Sequence, residues 1–188
     1  MEITSDLSVI ILATDGVNRL DLAGTRDALE RAGVKVVVAS NKSIEVKAWE
    51  RNNWSNRIRV DSDVKSVGID DYQGLIIPGG AFHSDELRLN ADSTKIVREF
   101  FAAGKTIGAI GQGVQLLIEA ETIKGRKVTG PISLKTDIGL AGGVWDTENV
   151  CADNGLITCP SEKSLDEFNK LFLERLREGV AQRSETII

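Results

Sequence analysis

A chain of 188 residues has room for a single α/β domain and buries about 70% of its unfolded surface, so it needs no disulfide or metal staple to fold. Its 41% hydrophobic content sets it apart from disordered chains, and a net charge of −5 with no basic block argues against nucleic acid as a partner. Two cysteines and one histidine form neither a disulfide framework nor a zinc site, so no cofactor and no metal are expected.

Residues 7–13 (LSVIILA) read as a buried strand, too short to span a membrane, and the amino terminus shows no basic-then-apolar signal pattern. A cytoplasmic protein is expected. Residues 20–32 place apolar side chains at helical spacing up to Gly33, and residues 35–40 (KVVVAS) form a second strand. This βαβ unit implies parallel strands joined by a right-handed crossover. Between residues 41 and 63 the pattern breaks into short alternating runs at 44–49 and 58–60, read as a hairpin or edge ribbon. Trp49 and Trp54 there need cover, from a partner or from their own sheet.

The strand predicted over 74–77 ends in Pro78-Gly79-Gly80, followed by a loop that sets His83 beside Ser84. A helix over 93–103 and a strand over 106–110 come next. Gly111-Gln112-Gly113 then turns straight into an apolar helix over 114–120. After 127–129 the spacing predicts a short helix near 134–141, then a hairpin of 150–152 and 156–158 about Asp153-Asn154-Gly155. A final helix opens on a capping-box sequence, Ser164 to Glu167. One domain over 1–180 and a tail over 181–188 complete the reading.

Alternating strands and helices make a doubly wound sandwich, whose ligands sit beyond the carboxyl ends of its strands. Three turns should meet there: 14–20, 78–86 and 111–113. An abrupt strand-to-helix turn such as 108–117 is the geometry of a nucleophile elbow, yet its apex holds glycine, which has no side chain to attack with. The turn serves either close helix–strand packing or a backbone nest for a carboxylate or phosphate.

Several motifs in order, YQGLIIPGG at 72–80, LRLN at 87–90, AGK at 103–105, AI at 109–110 with GVQLL at 113–117, KGRKVT at 124–129 and AGGVW at 141–145, resemble the DJ-1/PfpI family. That family lies in the class I glutamine-amidotransferase-like superfamily, and the chain is most like its PfpI-type intracellular-protease branch. LDLAG at 20–24 is similar to the isonitrile-hydratase branch instead. The resemblance implies a flavodoxin-like three-layer sandwich with a mainly parallel sheet, a homo-oligomer of two or more copies, and a cysteine-dependent hydrolase, peptidase or deglycase chemistry. Where the family reads Ala-Ile-Cys-His-Gly-Pro, this chain reads Ala109-Ile110-Gly111-Gln112-Gly113-Val114. Gly111 therefore takes the nucleophile's position and Gln112 the histidine's.

By the same resemblance Asp21 is the acid that bonds the family cysteine, and Asp85 is the acid a neighbouring subunit supplies. The expected role is that of a degenerate enzyme, holding a small polar ligand in a pocket of Asp21, Gly79, Gly80, Ala81, Gly111, Gln112 and Gly113. The alternative is an active hydrolase or lyase-like enzyme using Asp21 or Cys159. Cys159 is read as a buried inert thiol or a pocket nucleophile, Cys151 as core, and His83 as pocket-lining or solvent-facing.

Overall fold

The computed structural model describes residues 7–185, with side chains as far as residue 179. Twelve strands follow in chain order: β1 (Ser8–Leu12), β2 (Val17–Asn18), β3 (Lys35–Ser40), β4 (Glu45–Glu50), β5 (Asn53–Arg59), β6 (Ser62–Asp63), β7 (Gly74–Ile77), β8 (Thr106–Ile110), β9 (Lys127–Val128), β10 (Val144–Trp145), β11 (Cys151–Asp153) and β12 (Leu156–Cys159). Six α-helices accompany them: α1 (Arg19–Arg31), α2 (Ala81–Leu89), α3 (Ala91–Ala102), α4 (Val114–Glu119), α5 (Lys135–Leu140) and α6 (Leu165–Glu185).

The main sheet runs β11-β12-β8-β7-β1-β3-β6, and every pair in it is parallel except β11 with β12. Strand periodicity divides β1 between two cores. Ile10 and Leu12 face one layer with Val97 and Phe100 of α3 and Leu116 and Leu117 of α4. Val9 and Ile11 face the other, with Leu22 and Leu29 of α1 and Phe168, Phe172 and Leu176 of α6. The result is the flavodoxin-like three-layer sandwich, with helices on both faces of a mainly parallel sheet. Asn154 at φ 44° and Gly155 at φ 83° supply the paired left-handed turn that folds β11 onto β12.

Three expectations need correcting. The segment after Gly80 is not a loop but α2, whose buried His83, Ser84 and Leu87 recur at helical spacing while its other side faces water. The last helix is led in by a 3-10 turn over Glu162–Ser164, capped by Ser161, which accepts from the Lys163 N–H at 3.4 Å. That helix also continues to Glu185, beyond the expected boundary at 180, while 186–188 lie outside the described residues. The ribbon is a separate sheet ordered β2-β4-β5, in which Trp49 meets Trp54 edge-on at 5.2 Å. Cover for Trp49 also comes from Phe82 of α2, at 5.8 Å. Among the described residues no helix is long and apolar enough to cross a membrane.

Candidate functional site

The carboxyl ends of β1, β7 and β8 lie side by side, so the turns that follow them converge as the topology demands. Asn18 begins the assembly. Its side chain caps α1, accepting from the Leu20 N–H at 2.9 Å and the Asp21 N–H at 3.3 Å. Its own N–H donates to Gly79 O at 2.8 Å. The Gly79 N–H donates in turn to Asp21 Oδ2 at 2.8 Å, so the N–H and the carbonyl of this one residue are both held by the start of α1.

Asp21 is only 2% exposed, and Oδ1 has no hydrogen-bond partner among the described residues. Burial pushes its carboxyl up to about 7; the Gly79 N–H works against that shift, and the negative charge of Glu162 adds to it. Near neutral pH the group is therefore divided between its proton-donating and accepting forms.

Gly111 follows β8 directly, at φ +54°, and the single 3-10 turn Gly111–Gly113 passes into α4. A Cβ built there would meet Pro160 O at 3.6 Å and Gly79 Cα at 3.9 Å, both ordinary contacts, and nothing else within 4 Å. The backbone thus keeps the left-handed elbow, and there is room above it for a side chain. Gly79, Gly80 and Gly113 are different. A Cβ on Gly79 would stand 2.6 Å from Asp21 Oδ2, one on Gly80 would strike Gly16 O, and one on Gly113 would strike the carbonyls of Ile77 and Pro78. These three glycines allow close packing, and Gly113 lies beneath the end of β7 rather than facing a ligand. Gln112 is half-buried, its Oε1 3.6 Å from that same Cβ position on Gly79.

Ala81 and Asp85 are exposed on α2, outside the buried group. His83 is neither solvent-facing nor paired with Ser84; it is fully buried, with Nε2 3.2 Å from Leu12 O, so this nitrogen carries the proton. Burial holds the ring down at about 4, and Nδ1 has no partner among the described residues. Ser84 Oγ is likewise buried without a partner among the described residues, and it does not meet His83 because adjacent positions on a helix diverge around its axis.

Cys159 pairs in register with Ile110, next to the elbow, but it is 0% exposed and rests 3.7 Å from Ser161 O. Burial and the charges of Asp21 and Glu162 raise its pKa far above the ordinary thiol range, which leaves the thiol protonated. Cys151 donates to Asp146 Oδ2 at 3.5 Å and is pushed up to about 12. Among the described residues no three His, Cys, Asp or Glu side chains converge as a metal ligand set. Sequence reasoning missed Asn18, although an Asn just before an apolar-periodic helix is a capping signal, and it missed Glu162, which local sequence does not announce.

The DJ-1/PfpI family model matches residues 7–175. This chain belongs to the DJ-1/PfpI family. An uncharacterized protein of Archaeoglobus fulgidus is 34% identical over 162 residues, covering 86% of this chain and 94% of that protein. A Thermococcus kodakarensis protein named deglycase is 28% identical over 171 residues, covering 91% of this chain and all of the relative, 100%. Among solved structures, a two-domain protein from Anabaena variabilis, with DJ-1/ThiJ/PfpI-like and ferritin-like domains, superposes at a TM-score of 0.85 with 27% identity. That match covers 93% of this chain and 49% of the Anabaena chain.

Proposed function

We propose that this protein is a catalytically degenerate DJ-1/PfpI member that keeps the elbow pocket to bind a small polar ligand and assembles as a homo-oligomer. One observation carries the reading: the left-handed elbow persists at Gly111, where a Cβ would make only ordinary contacts with Pro160 O and Gly79 Cα, near the buried Asp21 carboxyl, while no side chain rises from it to attack. Asp21 Oδ1 is a hydrogen-bonding group without a partner among the described residues, and Gln112 offers both a donor and an acceptor. Cys159 is too buried and too strongly protonated to replace a nucleophile at the elbow. Both cysteines are free, which fits a reducing compartment such as the cytoplasm.

The relative named deglycase suggests the substrates for a test. Purified parent protein should not turn over glyoxal-type adducts or peptides, and Gly111→Cys combined with Gln112→His should confer turnover. Turnover by the parent that disappears in Asp21→Asn would establish the second reading, a lyase-like enzyme with Asp21 as acid–base. The position of that carboxyl's pKa, about 7, is what favours it.

A further inference from the structure

We propose that the elbow recess selects a small organic cation, a primary ammonium or amidinium group, and rejects anions. This rests on the reading of the pocket as a ligand site and adds the sign of the charge it accepts.

The walls of the recess are acceptors. The Pro160 carbonyl stands 3.6 Å from the position a Cβ would take at Gly111. The Ile110 carbonyl and Gln112 Oε1 lie 3.1 Å and 3.6 Å from the corresponding position on neighbouring Gly79. Asp21, 2% exposed, brings Oδ1 with no partner, while its Oδ2 is already held by the Gly79 N–H at 2.8 Å. Not every N–H beside the recess is available to cradle an anion. The Gly79 N–H serves Asp21, and Gly113 is pressed under the Ile77 and Pro78 carbonyls.

The charged and titratable groups around Asp21 point the same way. Glu162, ahead of α6, raises its pKa, and Cys159 of β12 is a protonated thiol. Arg19, on the same helix, is committed to Glu50 of β4, with Nη2 donating to Oε1 at 2.9 Å. Gln112 and Gly79 are neutral. A carboxylate or phosphate entering here would meet these acceptors and the like charge of ionised Asp21, opposed by no cation and only by neutral donors such as the Gln112 amide. An ammonium would bring several N–H donors to Oδ1, Pro160 O and Gln112 Oε1, with Asp21 as its counter-ion in a charge-assisted hydrogen bond. A Cβ at Gly111 would already touch Pro160 O at 3.6 Å and Gly79 Cα at 3.9 Å, so the cation must be small at its charged end.

Such binding draws on ionised Asp21. For a carboxyl that titrates near 7, affinity for methylammonium, which stays protonated throughout, should rise about tenfold between pH 6 and pH 8. The test is an NMR titration of the full chain with methylammonium, acetamidinium and acetate at matched ionic strength, following the Gly111 and Gln112 amides and the Asp21 carboxyl carbon. Expected are saturable shifts with both cations, strengthening with pH, none with acetate, and loss of binding in Asp21→Asn. Gly111→Ala, whose methyl enters the recess without a clash, should also abolish binding and serves if the Asp21 variant does not fold. Acetate binding at the elbow without the cations would overturn the charge assignment and leave the pocket reading standing. Silence at these signals with all three probes at both pH values would overturn the pocket reading together with the proposal.

Discussion

Asp21 and His83 are both buried and both neutral at their preferred pH, but they respond to pH in opposite directions. In the unfolded chain Asp21 loses its proton near 3.8, and in the fold near about 7. Stability from neutral Asp21 is complete below the first value and drains as pH rises toward the second, by a few kcal/mol in all, on the order of 1.4 per unit. His83 takes up its proton near 6.5 when unfolded and near about 4 in the fold. Stability from its neutral ring is complete above 6.5 and drains as pH falls toward 4. In the parent these slopes offset each other between pH 4 and 6.5. Asp21→Asn removes one of them. Its thermal midpoint, compared with that of the parent, should gain from pH 5 to about pH 7 and level off above it, and the variant should weaken below pH 6.5 as His83 acts alone. A pH-independent difference between the two proteins would mean that Asp21 titrates at its ordinary value.

Among elements, β8 with its turn into α4 shows how similar glycines serve different ends. Gly108 lies within the strand, where a Cβ would come 2.7 Å from Phe168 and 2.8 Å from Ile76. Gly108→Ala should therefore overpack the core and cost about 1–3 kcal/mol in urea unfolding, with part of the loss recovered on trimming Phe168 to Leu. At Gly111 the expected cost is about 1–2 kcal/mol, from φ alone, and the same core trimming should recover none of it. The run TIGAI followed by GQG disclosed the element and its abrupt turn. Which glycine faces packed rings and which has room for a methyl depends on Phe168 and Pro160, far along the chain. The α2 helix was obscured for a related reason: Pro78-Gly79-Gly80 reads as the start of a loop, and the helix is held by the burial of His83, Ser84 and Leu87 against the rest of the fold.

Across the whole molecule, two cores share one sheet, and α6 closes the second of them with Phe168, Phe172 and Leu176, all fully buried. Phe172→Ala should cost about 3–5 kcal/mol by urea denaturation, a large share of the stability of a domain this size. Assembly is a separate matter, and light scattering should return a multiple of the chain mass if the proposed homo-oligomer forms. The sequence by itself determined the alternation of the main strands and helices apart from α2, the parallel βαβ start, the hairpin at Asn154-Gly155 and the three turns that meet, because periodicity and turn chemistry are local. It also placed Gly111 at the apex of the elbow. Only the tertiary structure decided that Asp21 lies dry against Gly79, that Cys159 is sealed and that His83 is core. Burial and hydrogen bonding between residues tens of positions apart set a group's pKa and reach, and no short window of sequence contains both partners.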